Sequence, residues 1–158
     1  MNFSTLFRLR ENLNLDKKTL VILRWIAIIG QFISINLVYF YLKLDFLISI
    51  TYLILFIGLV TNLYLQFGIR SILLKDFYAS IFLIYDLIQL SALLYLTGGI
   101  SNPFSILMII PAIVSSTFLS MGTTIILVFL TIGFLFLLTI FHYPLPGIHE
   151  HSMTFPQL

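Results

Sequence analysis

The stretch from Phe77 to Thr97 has the sequence FYASIFLIYDLIQLSALLYLT, and Asp86 is its only formally charged residue. A helix that crosses the hydrocarbon core of a bilayer needs about 20 mostly apolar residues. Strands of soluble sheets are shorter and are interrupted by turn residues, and an open strand cannot satisfy its backbone hydrogen bonds in lipid. The stretch therefore predicts a transmembrane α-helix.

Similar apolar runs lie on both sides of this stretch. The predicted spans are Leu20–Leu42, Phe46–Ile69, Phe77–Thr97, Phe104–Ser120 and Met121–Phe141. Over the whole chain 60% of the residues are hydrophobic and 9% are charged, whereas soluble domains carry about 25% charged residues. This composition excludes an ordinary soluble domain. It predicts an all-α membrane protein, a polytopic helical bundle with five spans.

Basic residues are distributed unequally between the two ends of the predicted bundle. One side holds Arg8, Arg10, Lys17, Lys18, Arg24, Arg70 and Lys75. Lys43 alone lies on the opposite side. Because Lys and Arg are retained on the cytoplasmic side of a membrane, we expect the N-terminus in the cytoplasm.

This orientation divides the chain into three parts. Residues 1–19 form a cytoplasmic segment, residues 20–141 form the transmembrane domain, and residues 142–158 lie outside the membrane. The last part contains Pro144, Pro146, Gly147 and Pro156 and predicts an irregular loop. Since this loop ends on the outer side, a sixth span is expected beyond residue 158.

The loop between spans 3 and 4 has the sequence GGISNPF. The paired glycines, Gly98 and Gly99, can end a helix without a Cβ clash. Asn102 favours an N-cap, and Pro103 suits the first position of the next helix. The GGISNPF loop is therefore either a tight turn or a ligand site. In a ligand site the glycines would leave room for a flat molecule, Asn102 would offer an amide and Phe104 a ring.

Asp86 is an ionisable residue deep within a predicted span. Such residues are costly in lipid and usually face the interior of the bundle. Asp86, Gln89, Leu93 and Thr97 share one stripe of the helix, which either forms structural hydrogen bonds between helices or gives Asp86 and Gln89 a proton-linked or signalling role. Asp86 lies 12 residues before the GGISNPF loop, roughly 18 Å along a helix. Direct contact between Asp86 and a ligand held by this loop is therefore not expected.

Other polar residues in the spans have structural interpretations. Arg24, one turn inside span 1, is expected to extend to the cytoplasmic interface, and Trp25 suits the aromatic belt. Gln31 lies on the same face as Arg24 and is expected to contact another span. A face of span 2 is predicted to pack against another helix, because its residues are small or polar: Thr51, Gly58, Asn62 and Gln66.

The sequence offers no catalytic equipment and no metal site. It lacks cysteine, which excludes disulfides and thiolate ligands. The spacing of His142, His149, Glu150 and His151 is not diagnostic of a metal site. A Walker-type glycine loop is also missing, as are a phosphoacceptor histidine on a cytoplasmic helix and an ATP lid. A nucleic-acid partner is not expected.

Three motifs occur in a fixed order: LRWIAIIGQ from Leu23, DLIQL from Asp86, and the GGISNPF loop. They resemble the L-R-W-x-A-x-x-G-Q, D-x-x-Q-L and G-G-x-x-N-P-F motifs of the RegB/PrrB family of redox-responsive sensor histidine kinases. Pro111 also stands where these proteins often have a proline. The resemblance covers about residues 19–116 and corresponds to the N-terminal transmembrane sensor domain.

The resemblance implies a quinone-sensing domain in a bacterial inner membrane. Gly98, Gly99, Asn102, Pro103 and Phe104 would bind ubiquinone non-covalently on the periplasmic side, which agrees with the orientation derived from charge. Quinone redox state would control a cytoplasmic kinase that follows a sixth span. The full-length protein would then be a homodimeric histidine kinase that uses ATP and passes its phosphoryl group to a response regulator.

Two other functions remain open at this point. A small carrier or pore subunit, with Asp86 on the transport path, would be favoured by further polar residues along that path. A membrane assembly subunit would bind lipid and other helices without any specific ligand.

Overall fold

The structure is a computed structural model that describes residues 15–41 and 47–142. Five helices form most of this part of the chain. They are α1 Lys17–Asn36, α2 Ile48–Leu63, α3 Asp76–Leu96, α4 Ile110–Phe118 and α5 Met121–Ile140. π-Helical turns extend α1 and α2, over Leu37–Tyr41 and Tyr64–Gly68. Two 3₁₀ helices, Gly99–Ser101 and Pro103–Ile109, connect α3 to α4.

Four of these helices are long and apolar enough to cross a membrane: Lys17–Phe40, Ile48–Gly68, Asp76–Leu96 and Met121–Ile140. They confirm the prediction of an all-α helical membrane bundle. Large apolar side chains such as Phe56, Phe67 and Phe129 cover the outer faces of the helices. Exposed apolar surface of this extent suits contact with lipid.

The first helix begins at Lys17, earlier than the predicted start at Leu20. The side chain of Asp16 accepts a hydrogen bond from the backbone N–H of Lys18 at 3.0 Å. An aspartate at the N-cap satisfies a donor that the first turn would otherwise leave unpaired. The predicted cytoplasmic segment, residues 1–19, therefore ends too late, because its last three residues belong to α1.

A short strand pair, which the sequence did not predict, joins the two residues before α1 to the loop after α2. Leu15–Asp16 pairs antiparallel with Leu73–Leu74. Next to this pair, the Nζ atom of Lys17 donates to the carbonyl oxygens of Gln66 and Ile69, at 3.2 and 2.6 Å. Carbonyl groups at the end of a helix lack hydrogen-bond partners within that helix. The Lys17 side chain supplies such partners and caps the C-terminal end of the helix formed by α2 and its π-helical turn.

The fourth helical segment differs from the predicted span Phe104–Ser120. It covers Pro103–Phe118 and is shorter than the four long helices. Its first seven residues are 3₁₀ rather than α. Because a 3₁₀ helix rises about 2.0 Å per residue, the whole segment is roughly 27 Å long, close to the 30 Å of a hydrocarbon core.

Pro111 lies at the change from 3₁₀ to α geometry and accounts for the α-helical hydrogen bond that is missing there. A proline has no N–H to donate to the carbonyl four residues earlier, and its ring clashes with that carbonyl in an α-helix. The carbonyl in question belongs to Leu107. It accepts from the N–H of Ile110 instead, a bond between residues three apart. The α-helix begins at Ile110, which places Pro111 in its first turn, where a missing N–H is tolerated.

The helix α3 lies at the centre of the bundle and packs against α2, α4 and α5. Leucines along its length contribute to the main core: Leu83, Leu87, Leu90 and Leu94. The helix α1 packs mainly on α2, and long polar side chains bridge α1 to α3.

The starts of α3 and α5 are tied together by Asp76. One carboxylate oxygen accepts from the backbone N–H of Ser120 at 2.7 Å. The other accepts from the hydroxyls of Ser120, at 2.9 Å, and Thr123, at 2.5 Å. Ser120 is itself the N-cap of α5. The two helices therefore begin on one side of the bundle, and the GGISNPF loop lies at the other end.

This arrangement makes the predicted orientation testable, because the sequence has no native cysteine. The single variants Ile72→Cys and Ser101→Cys place thiols at exposed positions on opposite ends of the bundle. With the N-terminus in the cytoplasm, an impermeant maleimide added to spheroplasts should label position 101, and position 72 only after permeabilisation. The reverse pattern would show that the bundle is inverted.

Candidate ligand-binding site

The GGISNPF loop turns the chain sharply at the end of α3. Gly98 has φ +101° and Gly99 has φ +61°, a region of backbone space that glycine adopts without strain. A Cβ atom at Gly99 would also lie 2.5 Å from Cβ of His142 and 2.9 Å from the carbonyl oxygen of Leu138. The prediction that paired glycines end the helix is confirmed. Gly99 in addition allows close contact with the end of α5.

Asn102 holds the loop closed with its whole amide group. Its Oδ1 atom accepts from the backbone N–H of Phe104 at 2.9 Å. Its Nδ2 atom donates to the carbonyl oxygen of Thr97 at 3.0 Å and to the Thr97 hydroxyl at 2.8 Å. The predicted N-cap is therefore confirmed, with Pro103 in the first helical turn. In this arrangement the amide is fully engaged within the loop.

A narrow cleft lies beneath the GGISNPF loop, between α1, α3 and the 3₁₀ helix. It is about 30 Å³ in volume, which is room for a water molecule and too little for a six-membered ring. Among the side chains that line it are Asn102, Phe104 and Thr97 from the loop side and Gln31 from α1. Two of the residues predicted to bind a ligand thus face a shared cleft.

Farther into the bundle, Asp86 forms an ion pair with Arg24. The Nε and Nη2 atoms of Arg24 each lie 2.9 Å from Oδ1 of Asp86. Nη2 also donates to the hydroxyl of Thr61 at 2.9 Å. The guanidinium group lies over the rings of Phe82 and Tyr85, 5.2 and 5.6 Å from their centroids. Arg24 therefore connects α1 to α2 and α3.

This pair corrects the interpretation of Arg24 as an interfacial residue. Its side chain is 3% exposed and points into the bundle, because Asp86 supplies an opposite charge there. A sequence signal for the pairing existed. Arg24 is a basic residue inside a predicted span, and an acidic residue in another span needs a partner of opposite charge in lipid.

One turn away, Gln89 donates from Nε2 to Oε1 of Gln31 at 3.1 Å. This bond confirms that Gln31 contacts another span. Gln89 also packs against α2, since a Cβ atom at Gly58 would overlap its amide group. The stripe of α3 predicted from the sequence therefore forms hydrogen bonds between helices, first through Asp86 and then through Gln89.

The polar face predicted for span 2 is buried at three of its positions, Thr51, Gly58 and Asn62. The fourth position, Gln66, accepts from Nε1 of Trp25 on α1 at 3.2 Å. The prediction that this face packs against another helix is confirmed.

A larger cavity of about 240 Å³ lies between α1, α3 and the fourth helical segment. Arg24, Asp86 and Gln31 line it together with aliphatic side chains. It shares Gln31, Leu90 and Leu107 with the cleft beneath the GGISNPF loop. The cleft and the cavity therefore adjoin each other at these three side chains, and the two together are here called the α1–α3 groove. No pattern in the sequence predicts this cavity.

The candidate metal ligands at positions 149–151 lie outside the described residues. His142 is described, and it packs against Gly99. Its contact with the GGISNPF loop could not be anticipated from the sequence, because Gly99 and His142 are 43 residues apart and no pattern links them.

Comparison with known proteins identifies a similar sensor kinase. The chain is 34% identical over 142 residues to the sensor histidine kinase RegB of Cereibacter sphaeroides. The chain is a relative of RegB. The aligned region covers 89% of the chain and 31% of RegB, so the chain spans about a third of the length of this relative. No protein-family model and no solved structure matches it.

The relationship to RegB confirms the resemblance that the three motifs predicted. Together with the apolar helices, it supports a multi-pass membrane domain of the RegB sensor-kinase type.

The ion pair predicts a characteristic pattern of stabilities. Removing one partner leaves a buried charge without compensation, at a cost of about 3–5 kcal/mol. Arg24→Leu and Asp86→Leu should therefore each strongly destabilise the domain, whereas the double variant should be more stable than either single one. Reversible unfolding in detergent micelles, followed by circular dichroism, measures this. Strictly additive losses would show that the two side chains do not interact.

The amide of Asn102 predicts a loss of stability on replacement by Asp. Asn102→Asp retains the N-cap acceptor but directs a carboxylate at the carbonyl oxygen of Thr97. The lost donor should cost about 1–3 kcal/mol in the same unfolding assay, with no ligand added. Ser101→Asp, at the exposed neighbouring position, is the control and should be close to neutral. If Asn102→Asp is equally neutral, the amide does not hold the loop.

Proposed function

We propose that this chain is the membrane sensor domain of a two-component histidine kinase and that it binds quinone in the α1–α3 groove. The observation that carries the proposal is the relationship to a sensor histidine kinase, combined with a groove that begins at the GGISNPF loop. Kinase activity, a homodimer and a response regulator as partner follow for the full-length protein. The proposed location is the bacterial inner membrane, with the N-terminus in the cytoplasm.

The chemistry of the groove suits a molecule dissolved in the bilayer. Its walls are mainly aliphatic, and a few polar groups from α1 and α3 lie at one side. Small-molecule sites in proteins commonly combine apolar walls with a small number of placed polar groups. Ubiquinone has this character, with an oxygen-bearing ring and an apolar tail.

The residues of the GGISNPF loop have distinct roles in this proposal. Gly98 and Gly99 form the turn, and Asn102 and Pro103 start the following helix, so these four residues shape the mouth of the groove. Phe104 offers its ring to the bound molecule from the wall of the cleft. Because the cleft is narrow, the quinone ring occupies the wider part of the groove, and Phe104 contacts the portion nearest the outer surface.

Signalling requires that oxidised and reduced quinone bind two arrangements of the helices with different affinity, since only such a difference shifts an equilibrium. The fourth helical segment is suited to respond. Leu107, Ile110 and Pro111 line the cavity and lie where the 3₁₀ helix gives way to α4. A change from 3₁₀ to α geometry often marks a hinge.

The carrier or pore alternative is less well supported by the contacts of Asp86. Its carboxylate is paired with Arg24, and among the described residues that line the cavity only Arg24, Gln31 and Asp86 have polar side chains, whereas a transport path requires a continuous series of polar groups.

Binding can be measured by titrating the purified domain in nanodiscs with ubiquinone and by mapping the site with a photoreactive quinone. We expect saturable binding and crosslinks to residues of the groove, including Gln31, Leu107 and Phe104. Phe104→Leu should weaken binding about 4-fold, because it removes apolar contact area equivalent to roughly one buried CH₂ group, about 0.8 kcal/mol.

The matched control is Phe118→Leu, at the other end of the same helical segment, which should bind quinone normally. Non-saturable uptake into the lipid, or crosslinks confined to the outer faces of the helices, would refute the proposed function.

A further inference from the structure

The wider part of the α1–α3 groove contains a hydrogen-bond donor without a partner. Arg24 lines the cavity, and its Nε and Nη2 atoms are engaged by Asp86 and Thr61. Its Nη1 atom is buried and has no hydrogen-bond partner among the residues that the structure describes. Leaving a charged donor unpaired inside a protein is unfavourable. Because Nη1 is buried beside the cavity and not on its surface, it reaches an oxygen atom of a bound molecule only when the guanidinium group turns toward the cavity.

The same cavity is also lined by an acceptor. The Asp86 side chain is 24% exposed, in contrast to the 3% of Arg24, and it lines the cavity. Both of its contacts with Arg24 are made through Oδ1. An ionised carboxylate can only accept hydrogen bonds. A bound molecule that pairs with Asp86 must therefore supply a hydrogen-bond donor.

Gly30 leaves part of this cavity open, because it has no side chain. It lies on the α1 wall, and a Cβ atom added there would meet no other atom within 4 Å. Close packing against another helix therefore does not require glycine at this position, unlike at Gly58, where Gln89 occupies the space. A glycine within a helix is less favourable than alanine by about 1 kcal/mol in water, so helix propensity does not account for glycine at this position.

A molecule that fits this cavity is apolar and carries oxygen atoms that either accept or donate. A quinone carbonyl only accepts hydrogen bonds, whereas a quinol hydroxyl also donates one. We propose that the Arg24–Asp86 pair distinguishes the two redox forms: Arg24 donates from Nη1 to a carbonyl of the oxidised ring, and Asp86 accepts from a hydroxyl of the reduced ring. The inference rests on the proposed quinone function and assigns its redox selectivity to these two residues rather than to the GGISNPF loop.

No electron transfer takes place within the domain in this proposal. The ring enters the groove already oxidised or reduced, and the pair forms a different hydrogen bond with each form. Because Arg24 also bonds to α2 through Thr61, a change in its contacts reaches three helices at once.

The test compares the affinities of the domain in nanodiscs for decyl-ubiquinone and decyl-ubiquinol, held oxidised or reduced under anaerobic conditions. Asp86→Asn keeps an oxygen atom that can accept from Arg24 but loses the carboxylate charge, so it should weaken quinol binding about tenfold, since hydrogen bonds to charged groups are strong, and should weaken quinone binding by a clearly smaller factor. A structural defect would weaken both forms alike. Equal weakening of the two forms, or no change in either, would overturn the proposal.

A second variant keeps the ion pair intact and fills the cavity. Gly30→Leu should reduce the affinity for both forms at least tenfold without lowering the midpoint of thermal unfolding. Gly133→Leu is the matched control, because Gly133 on α5 also has open space around it and does not line the cavity. Its affinities should equal those of the wild type. If Gly30→Leu binds both forms normally, the ring does not occupy this cavity.

The quinone function and the role of the Arg24–Asp86 pair are refuted by different results. Saturable quinone binding by the wild type, together with normal binding by both Asp86→Asn and Gly30→Leu, would refute the role of the Arg24–Asp86 pair and leave the quinone function standing. Absence of saturable binding of either form by the wild type would refute the quinone function itself.

Discussion

The contact between Arg24 and Asp86 sets the geometry of the membrane-embedded core. Two opposite charges in lipid are tolerable only where each faces the other, and this requirement fixes the rotation of α1 and α3 about their axes. With Arg24 turned inward, Gln31 faces Gln89 two turns farther along. Because the link between α1 and α3 is made by long side chains rather than by close backbone packing, space remains between the helices. The cavity is a consequence of that spacing.

Much of the fold follows from local properties of the sequence. Apolar runs of about 20 residues identify the long helices, and Gly98, Gly99, Asn102 and Pro103 determine how α3 ends and the next segment begins. These features depend on residues next to each other in the chain, so they can be predicted from the sequence. The start of α1 is predicted less accurately, because Asp16 caps the helix several residues before the apolar run starts.

The parts that could not be predicted depend on contacts between distant segments. The packing of His142 on Gly99 and the strand pair of Leu15–Asp16 with Leu73–Leu74 have no local pattern. The partner of Asp86 could have been inferred from charge, but the usual tendency of arginine to reach the interface pointed elsewhere. The 3₁₀ geometry of the fourth segment is also not predicted. Pro111 stands where proteins of the RegB/PrrB family often have a proline, but that resemblance does not reveal its effect on the hydrogen bonds before it.

The position of Asp76 has an electrostatic consequence for the bundle. A helix N-terminus carries about half of a positive elementary charge, and α3 and α5 begin side by side on one face of the membrane domain. Neighbouring helices that run in the same direction bring like ends of their macrodipoles together, which is unfavourable. The carboxylate of Asp76 lies in the first turn of α3 and bonds directly to the start of α5. One negative charge thus offsets two half charges, and the parallel pair is close to neutral where its ends meet.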